Sequence, residues 1–398
     1  MTPSEELVFR LCSQSFLSLW SYANPRGKHG KELCDVLVVC DPDVIIFSVK
    51  EVEARDTEDV QTGWARWTRE AIEASAKQIY GAERWLQSAS NVVTKDGSSG
   101  LALPDVSARR IHRVAVALGS KGGIPIASED FGRGYVHVFE EGALDILMRE
   151  LDTITDFTEY LRAKELLLQT TMLMIEGGEE NLLAMYLRGG RRFNHTPDML
   201  AVEDGLWERL LRDDAFRAKK IADEPSRSFD QLIETFGREA LAGTLEPGST
   251  LSETERVVRV MARESRLNRR ILGKAFKDFY DKAAREDAGL ARMTRSPSGV
   301  VYVFLALSRE FPREQRTKDL ALRCFIARGM QPGSTTVIGI ATEQYHGKPG
   351  FSLDACLLYH PEWTDQDQAR MEAMQRDLGY FVNAQQSHSR EDEYPGPA

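Results

Sequence analysis

The sequence predicts an α/β fold in three parts: a mixed-sheet domain over residues 1–151, a helical region over 152–292, and a small α/β or α+β domain over 293–384, followed by a disordered polar tail, 385–398. Three observations predict it. The stretch 31–50, KELCDVLVVCDPDVIIFSVK, reads as two strands around a tight turn at Asp41-Pro42. Its Val, Ile and Leu content suits strands buried on at least one face. From about Asp152 to Ala291 the apolar period lengthens to that of helices, as in DFTEYLRAKELLLQTTMLMI, and after the linker TRSPSG at 294–299 it returns to two.

The elements follow in order. Thr2 as N-cap, Pro3 at the first helical position and Glu5 as capping-box partner start a helix with Leu7, Leu11 and Phe16 on its apolar side. A basic, Gly-rich loop, ANPRGKHGKE, spans 23–32 and leads into the two strands. After the acidic segment EVEARDTED comes a long helix, about 60–88, whose stripe is Trp64, Trp67, Ala71, Ser75, Ala82 and Trp85. Both Trp64 and Trp67 are expected in the core. A flexible break at 94–105 precedes strands at 111–118 and 135–139 and a helix from about Glu141. His112 and His137 are read as core or edge residues of those strands. A long helix starts at Ser252, with Glu255 as its box partner, and reaches about residue 283. Strands at 300–307, 321–328, 335–343 and 353–359 and a closing helix at 364–380 make the last domain; His346, in YHGKPG, is read as a turn residue. No internal repeat is found.

Composition bounds the function. At 398 residues the chain is long enough for two or three cores. A formal charge of −10 argues against coating nucleic acid indiscriminately, although it leaves room for a local basic cleft. The five cysteines form no CxxC pair and no zinc-type cluster. Cys34 and Cys40 share one strand face, too far apart to bridge, and read as buried free thiols. A reducing cytoplasm is therefore expected. No stretch approaches a membrane span, and neither a secretion signal nor a membrane partner is expected.

The two strands also carry chemistry. If Cys40 faces Asp43 across a two-residue loop, Asp35 falls opposite Ser48. By alternation, Asp35, Leu37 and Val39 then share a face with Val44, Ile46, Ser48 and Lys50. An acid and a lysine meet at the open end of the hairpin. On the following helix Gln78 lies on the apolar stripe, where a buried amide needs a partner.

This arrangement resembles the core of the PD-(D/E)xK, or restriction-endonuclease-like, nuclease superfamily. The resemblance covers about the first 150 residues. Asp35 matches its first acid and Lys50 its lysine, while Ser48 stands where the second acid belongs. It implies a restriction-endonuclease-like sheet, a Mg²⁺ or Mn²⁺ cofactor and a nucleic-acid substrate, DNA or RNA. In its terms the metal ligands are Asp35, the main-chain carbonyl near Val49, and Glu32 or a first-helix acid, Glu5 or Glu6. Ser48, Lys50 and Gln78 complete the site. Basic residues for phosphate are Lys28 and Lys31 in the loop, with Arg26 and His29, and Arg66 and Arg69 on the helix, with Lys77 and Arg84. A second basic stripe, Arg259, Arg263, Arg266 and Arg270, follows helical spacing in the second half of the chain. Its alternatives are a solvated face and a surface for an acidic protein partner.

Two readings follow: an active metal-dependent nuclease, or a nuclease-like fold that has lost catalysis and binds nucleic acid or protein. Ser48 favours the second; Asp35 and Lys50, kept where burial alone prefers apolar side chains, favour the first. Multidomain chains with such a module resemble parts of bacterial defence or DNA-repair systems. No P-loop, GxSxG or HExxH motif points to another class.

Overall fold

The structure is a computed structural model. It describes residues 1–53, 60–119, 128–193, 198–244, 250–285, 289–343, 352–382 and 391–395. His346, most of the acidic segment before the long helix, and most of the expected tail lie outside the described residues.

The chain divides into two compact units, Met1–Arg217 with Gly237–Ser252, and Ala218–Phe236 with Glu253–Ala398. This differs from the three-part expectation. The residues of 152–292 are divided between the two units and do not form a third.

In the first unit, α1 (Pro3–Ser15) begins at the capping box of Thr2 and Glu5. Strands β1 (Ser21–Ala23), β2 (Val36–Cys40) and β3 (Asp43–Glu51) form an antiparallel meander. The helix α2 (Val60–Trp67), a π-helical segment Thr68–Glu73 and α3 (Ala74–Leu86) follow. Next come β4 (Asn91–Val93), β5 (Ser99–Ala102), β6 (Arg110–Leu118), β7 (Glu129–Asp130) and β8 (Tyr135–Phe139). The mixed sheet runs β1-β2-β3-β6-β8-β7, with β6 parallel to β3 and β8 parallel to β6.

The hairpin register pairs Cys40 with Asp43 and Val36 with Phe47, as the two-residue loop requires. Leu37, Val39, Val44 and Ile46 therefore bury one face against Trp67, Ala71, Ile72 and Ile79. Phe47, on the other face, meets Phe157. The helices α4 (Glu141–Glu150), α5 (Ile154–Thr170) and α6 (Glu179–Arg188) follow the sheet, and the Lys164–Glu179 pair, 2.6 Å long and buried, ties α5 to α6. His112 is buried against Asp43 at 2.8 Å, and His137 lies between the rings of Tyr135 and Phe139, so both are core residues as read.

Three local expectations change here. The break at 94–105 contains the second strand of a β4–β5 hairpin, because Asp96 caps the turn through Thr94 and Ser98. Trp64 is 41% exposed; it stacks on buried Trp67 at 5.4 Å and does not reach the sheet. A parallel two-stranded ribbon, β9 (Met172–Ile175) with β10 (Met199–Val202), interrupts the helical region, since its Leu173, Leu200 and Val202 face a small core with Leu167 and Leu182.

The helices α7 (Leu206–Leu211), α8 (Asp214–Asp223), α9 (Ser226–Ala242), α10 (Leu251–Ala262) and α11 (Arg266–Ala283) come next. In the second unit, β11 (Leu290–Arg295), β12 (Val301–Leu307), β13 (Thr336–Glu343) and β14 (Leu353–Tyr359) form a sheet in that order, with β12 and β13 parallel. Between them α12 (Arg313–Met330) covers one face, and α13 (Asp365–Leu378) closes the chain's helices. The expected strand at 321–328 is part of α12. Its apolar run is compatible with either period, and Leu320, Cys324 and Ala327 at helical spacing decide it by packing on β12 and β13. Residues 391–393 are also ordered, held by Arg270 and Lys274, so the polar tail is not disordered there.

Candidate active site

The site forms where the β2–β3 hairpin opens. Asp35 immediately precedes β2, and its N–H donates to the Phe47 carbonyl at 3.2 Å, which continues the ladder to the level of Ser48. Its carboxylate is 2% exposed. Oδ2 accepts the Val49 N–H at 2.5 Å and lies 3.9 Å from Lys50 Nζ. Oδ1 accepts from Gln78 Nε2 at 3.5 Å, and Gln78 Oε1 accepts the Ser48 hydroxyl at 2.8 Å. Asp35, Ser48, Lys50 and Gln78 thus converge as the period-two and helical patterns predict. Gln78 is the amide that the buried stripe required to be satisfied: it links the serine to the acid. Lys50 remains 35% exposed on its side chain, at the rim.

A second group of acids borders Asp35. Asn24 follows β1 at the turn, with φ +45°, a conformation that Asn tolerates better than most residues. Its N–H donates to the Asp35 carbonyl at 2.9 Å. Its side-chain Nδ2 donates to Glu32 Oε2 at 3.0 Å and reaches Glu5 Oε2 at 3.4 Å, while its buried Oδ1 has no hydrogen-bond partner. Glu32 is an exposed residue whose carboxyl tip turns to Asp35. Partial burial, the hydrogen bond and charge of Asp35, and the charge of Glu5 raise its pKa against the pull of Asn24. Of the two first-helix acids, Glu5 faces this group and Glu6 is exposed. The expectation for Glu6 is corrected by helical phase: successive residues point about 100° apart. Val49 takes part through its N–H. Asn24 was missed in the sequence; the signal was an Asn before Pro25 at a turn into a strand.

The basic residues fall into two classes. Lys28 and Lys31 are exposed on the loop before β2, as read. Arg69 is 67% exposed, and Arg66 reaches Glu70 at 3.5 Å and the Glu53 carbonyl at 3.4 Å. The second stripe is not a stripe. Ser265 caps α11, and the chain breaks between α10 and α11, so the four arginines do not share one helix. Arg259 pairs with Glu255 at 3.5 Å. Arg263 lies in the break itself and is half-buried. Arg266 is buried on Asp230 at 2.6 Å, and Arg270 is buried between Asp223 at 3.3 Å and Glu391 at 3.1 Å. Arg266 and Arg270 face inward and are not placed to meet a phosphate backbone. The one-dimensional pattern carried no sign of the acids that neutralise them.

No protein-family model, curated protein or solved structure matches this chain.

The donors around Asp35 are hard oxygens, its own carboxylate and that of Glu32, with Glu5 held on the same Asn24 amide. Such ligands suit Mg²⁺, which retains several waters and needs only one or two carboxylates. Among the described residues no three His, Cys, Asp or Glu side chains are gathered into a ready metal shell. The chemistry of the donors fits a divalent cation held mostly through Asp35 and one neighbouring acid. Burial first, then the hydrogen bond and charge of Asp35 and the charge of Glu5, disfavour the ionised form of Glu32, and a cation between the acids would favour it.

Proposed function

We propose that the first unit is a metal-dependent phosphodiesterase acting on DNA or RNA, built on a restriction-endonuclease-like sheet. One observation carries the reading: Asp35, Lys50 and Gln78 meet at the open end of the hairpin, with a second acid, Glu32, beside them. The element order supports it, since helix, hairpin, long helix and parallel strand is the sequence that such a core needs.

Asp35 and Glu32 would hold Mg²⁺ or Mn²⁺; Glu32 then supplies the acidity that Ser48 lacks. When bound, the cation supplies polarisation of the scissile phosphate. The remaining work belongs to the chain. Lys50, at the rim, orients the attacking water and offsets charge building on the phosphate. The Val49 N–H and the Gln78 amide fix the Asp35 carboxylate in one orientation, so that it does not reorganise during the reaction. Lys28, Lys31 and Arg69 are exposed cations for the nucleic-acid backbone. The free thiols fit a reducing cytoplasm, and no helix among the described residues is long and apolar enough to cross a membrane.

The full-length protein incubated with DNA and RNA, in Mg²⁺, in Mn²⁺ and in EDTA, tests this. Metal-dependent cleavage is expected, and it is expected to vanish in Lys50→Ala and in Asp35→Ala while circular dichroism shows both variants folded. Cleavage that persists in both overturns the site.

A second reading rests on Ser48. Its hydroxyl is fully buried and committed to Gln78, so the position of the second acid is filled by a neutral hydrogen-bond link. That supports a nuclease-like module that binds nucleic acid or a protein partner without cutting. Ser48→Glu separates the two: a gain in metal affinity or cleavage supports a degenerate catalytic site, and no change in either supports the binding module.

A further inference from the structure

We propose that Cys324 and Cys356, in the second unit, are the two halves of a reversible disulfide that locks α12 to the edge strand β14. The sequence gives no hint of the pair, which is 32 residues apart and in no motif.

The two thiols arrive from different elements. Cys324 lies on the face of α12 that packs on the sheet, with Leu320 and Ala327, and is 1% exposed. Cys356 lies in the middle of β14, paired with Gly339 of β13. Their sulfurs are 3.7 Å apart. The glycine makes this approach feasible. A Cβ at position 339 would stand 2.6 Å from the Cys324 sulfur and 2.8 Å from the Cys356 sulfur, so any other residue would displace them. The two thiols fill the notch left by the missing side chain. To reach a bond length of about 2.0 Å the two sulfurs must close the remaining gap, by side-chain rotation and by movement of α12 toward β14.

The pair is also asymmetric in a way that suits the chemistry. The contact with Cys324 favours the Cys356 thiolate, while the same contact and burial disfavour ionisation of Cys324. Cys356 is half-buried on an edge strand and is the sulfur an oxidant meets first. The other three cysteines are buried. With a peroxide as oxidant, the Cys356 thiolate attacks one peroxide oxygen and becomes a sulfenic acid, and the leaving hydroxide takes up a proton to form water. Cys324 then attacks the Cys356 sulfur, the sulfenic hydroxyl leaves, and its protonation gives a second water. In sum, two thiols and one hydrogen peroxide give one disulfide and two waters. The bond would pin β14, one of the two outer strands of this sheet among the described residues, to the helix that packs on it.

The test uses the full chain and needs no nuclease activity, so it stands or falls apart from the function proposed above. The reduced protein is treated with hydrogen peroxide, then unfolded, and its free thiols are counted and mapped by mass spectrometry. The count is expected to fall from five to three, with one reducible cross-link joining the 324 and 356 peptides, and the thermal midpoint is expected to rise by a few degrees. In Cys324→Ser, Cys356 is expected to stop at the sulfenic acid, trappable by a dimedone probe. Both thiols surviving oxidation that modifies other residues, Cys356 going directly to sulfinic acid in the wild-type chain, or cross-links only between molecules would each overturn the proposal.

Discussion

Two polar clusters in this protein use the same residue types to opposite effect. At the break between α10 and α11, Glu264 is buried and accepts from Ser296, Ser298, Tyr302 and Asn268 at 2.9, 2.7, 3.1 and 2.8 Å. Nearby, Asp230 accepts from both Arg266 and Arg269, at 2.6 and 2.7 Å. At the open end of the β2–β3 hairpin, Asp35 has its lysine at 3.9 Å, Glu32 sits against Asp35 with its pKa raised, and Asn24 keeps an unpartnered buried oxygen. The first cluster is satisfied within itself and holds a helix break in place. The second leaves capacity over, which is what a site that binds something must do.

The sharpest way to break that contrast is to remove one acid from each cluster. Asp230→Ala removes the carboxylate that the buried Arg266 and Arg269 share and is expected to destabilise the second unit by about 3–5 kcal/mol in urea titration. A loss under 1 kcal/mol would mean that the cluster is not the structural bolt described. Lys50→Ala is expected to lower metal-dependent cleavage by at least about 10²-fold, near 2.7 kcal/mol of transition-state stabilisation, with little change in stability, because Lys50 is partly exposed. Equal losses of activity and of folding would put Lys50 in the satisfied class instead. Glu264→Ala strands four donors and is expected to cost about 1–3 kcal/mol. A thermal melt that matches the wild type would argue against its role.

The smallest expected effect is the most specific. The Glu32 pKa is raised in the folded chain, so its contribution to stability is present below the unfolded carboxyl value, ordinarily 4.5, and is lost as pH rises through the folded value. Glu32→Gln should therefore stabilise the protein at neutral pH, and the gain should shrink as pH falls below that range. Added Mg²⁺ should erase the difference by stabilising the wild type alone. Denaturation curves from pH 4 to 8 with and without the cation would reveal either outcome, and a difference that is flat in pH would remove Glu32 from the acidic group.

The hairpin was legible because its signal is local. A two-residue loop fixes the register, and alternation then places Asp35, Ser48 and Lys50 on one face with the apolar residues that bury them. Gln78 was legible for the same reason at helical period: a polar residue on a buried stripe must be matched. The capping box at Thr2 and the closing helix near Thr364 were equally local readings. What failed was decided by partners distant in sequence. The arginines of α10 and α11 looked like a surface stripe until Asp230, Asp223 and Glu391 met them from elsewhere in the second unit. The run at 321–328 fitted both periods until the sheet of β12 and β13 took its helical face.

Sequence alone determined the elements whose reasons lie within one or two turns of chain: the capped helix, the paired strands and the acid and lysine set at their open end. Tertiary structure alone decided which charges are paired inside the protein, how the helices divide between the two units, that Asn24 holds Glu32 and Glu5 rather than Glu6, and that two cysteines meet over Gly339. The physical reason is range. Backbone geometry and side-chain period act over a few residues, whereas desolvation and charge pairing depend on whatever atoms the folded chain brings within a few ångströms.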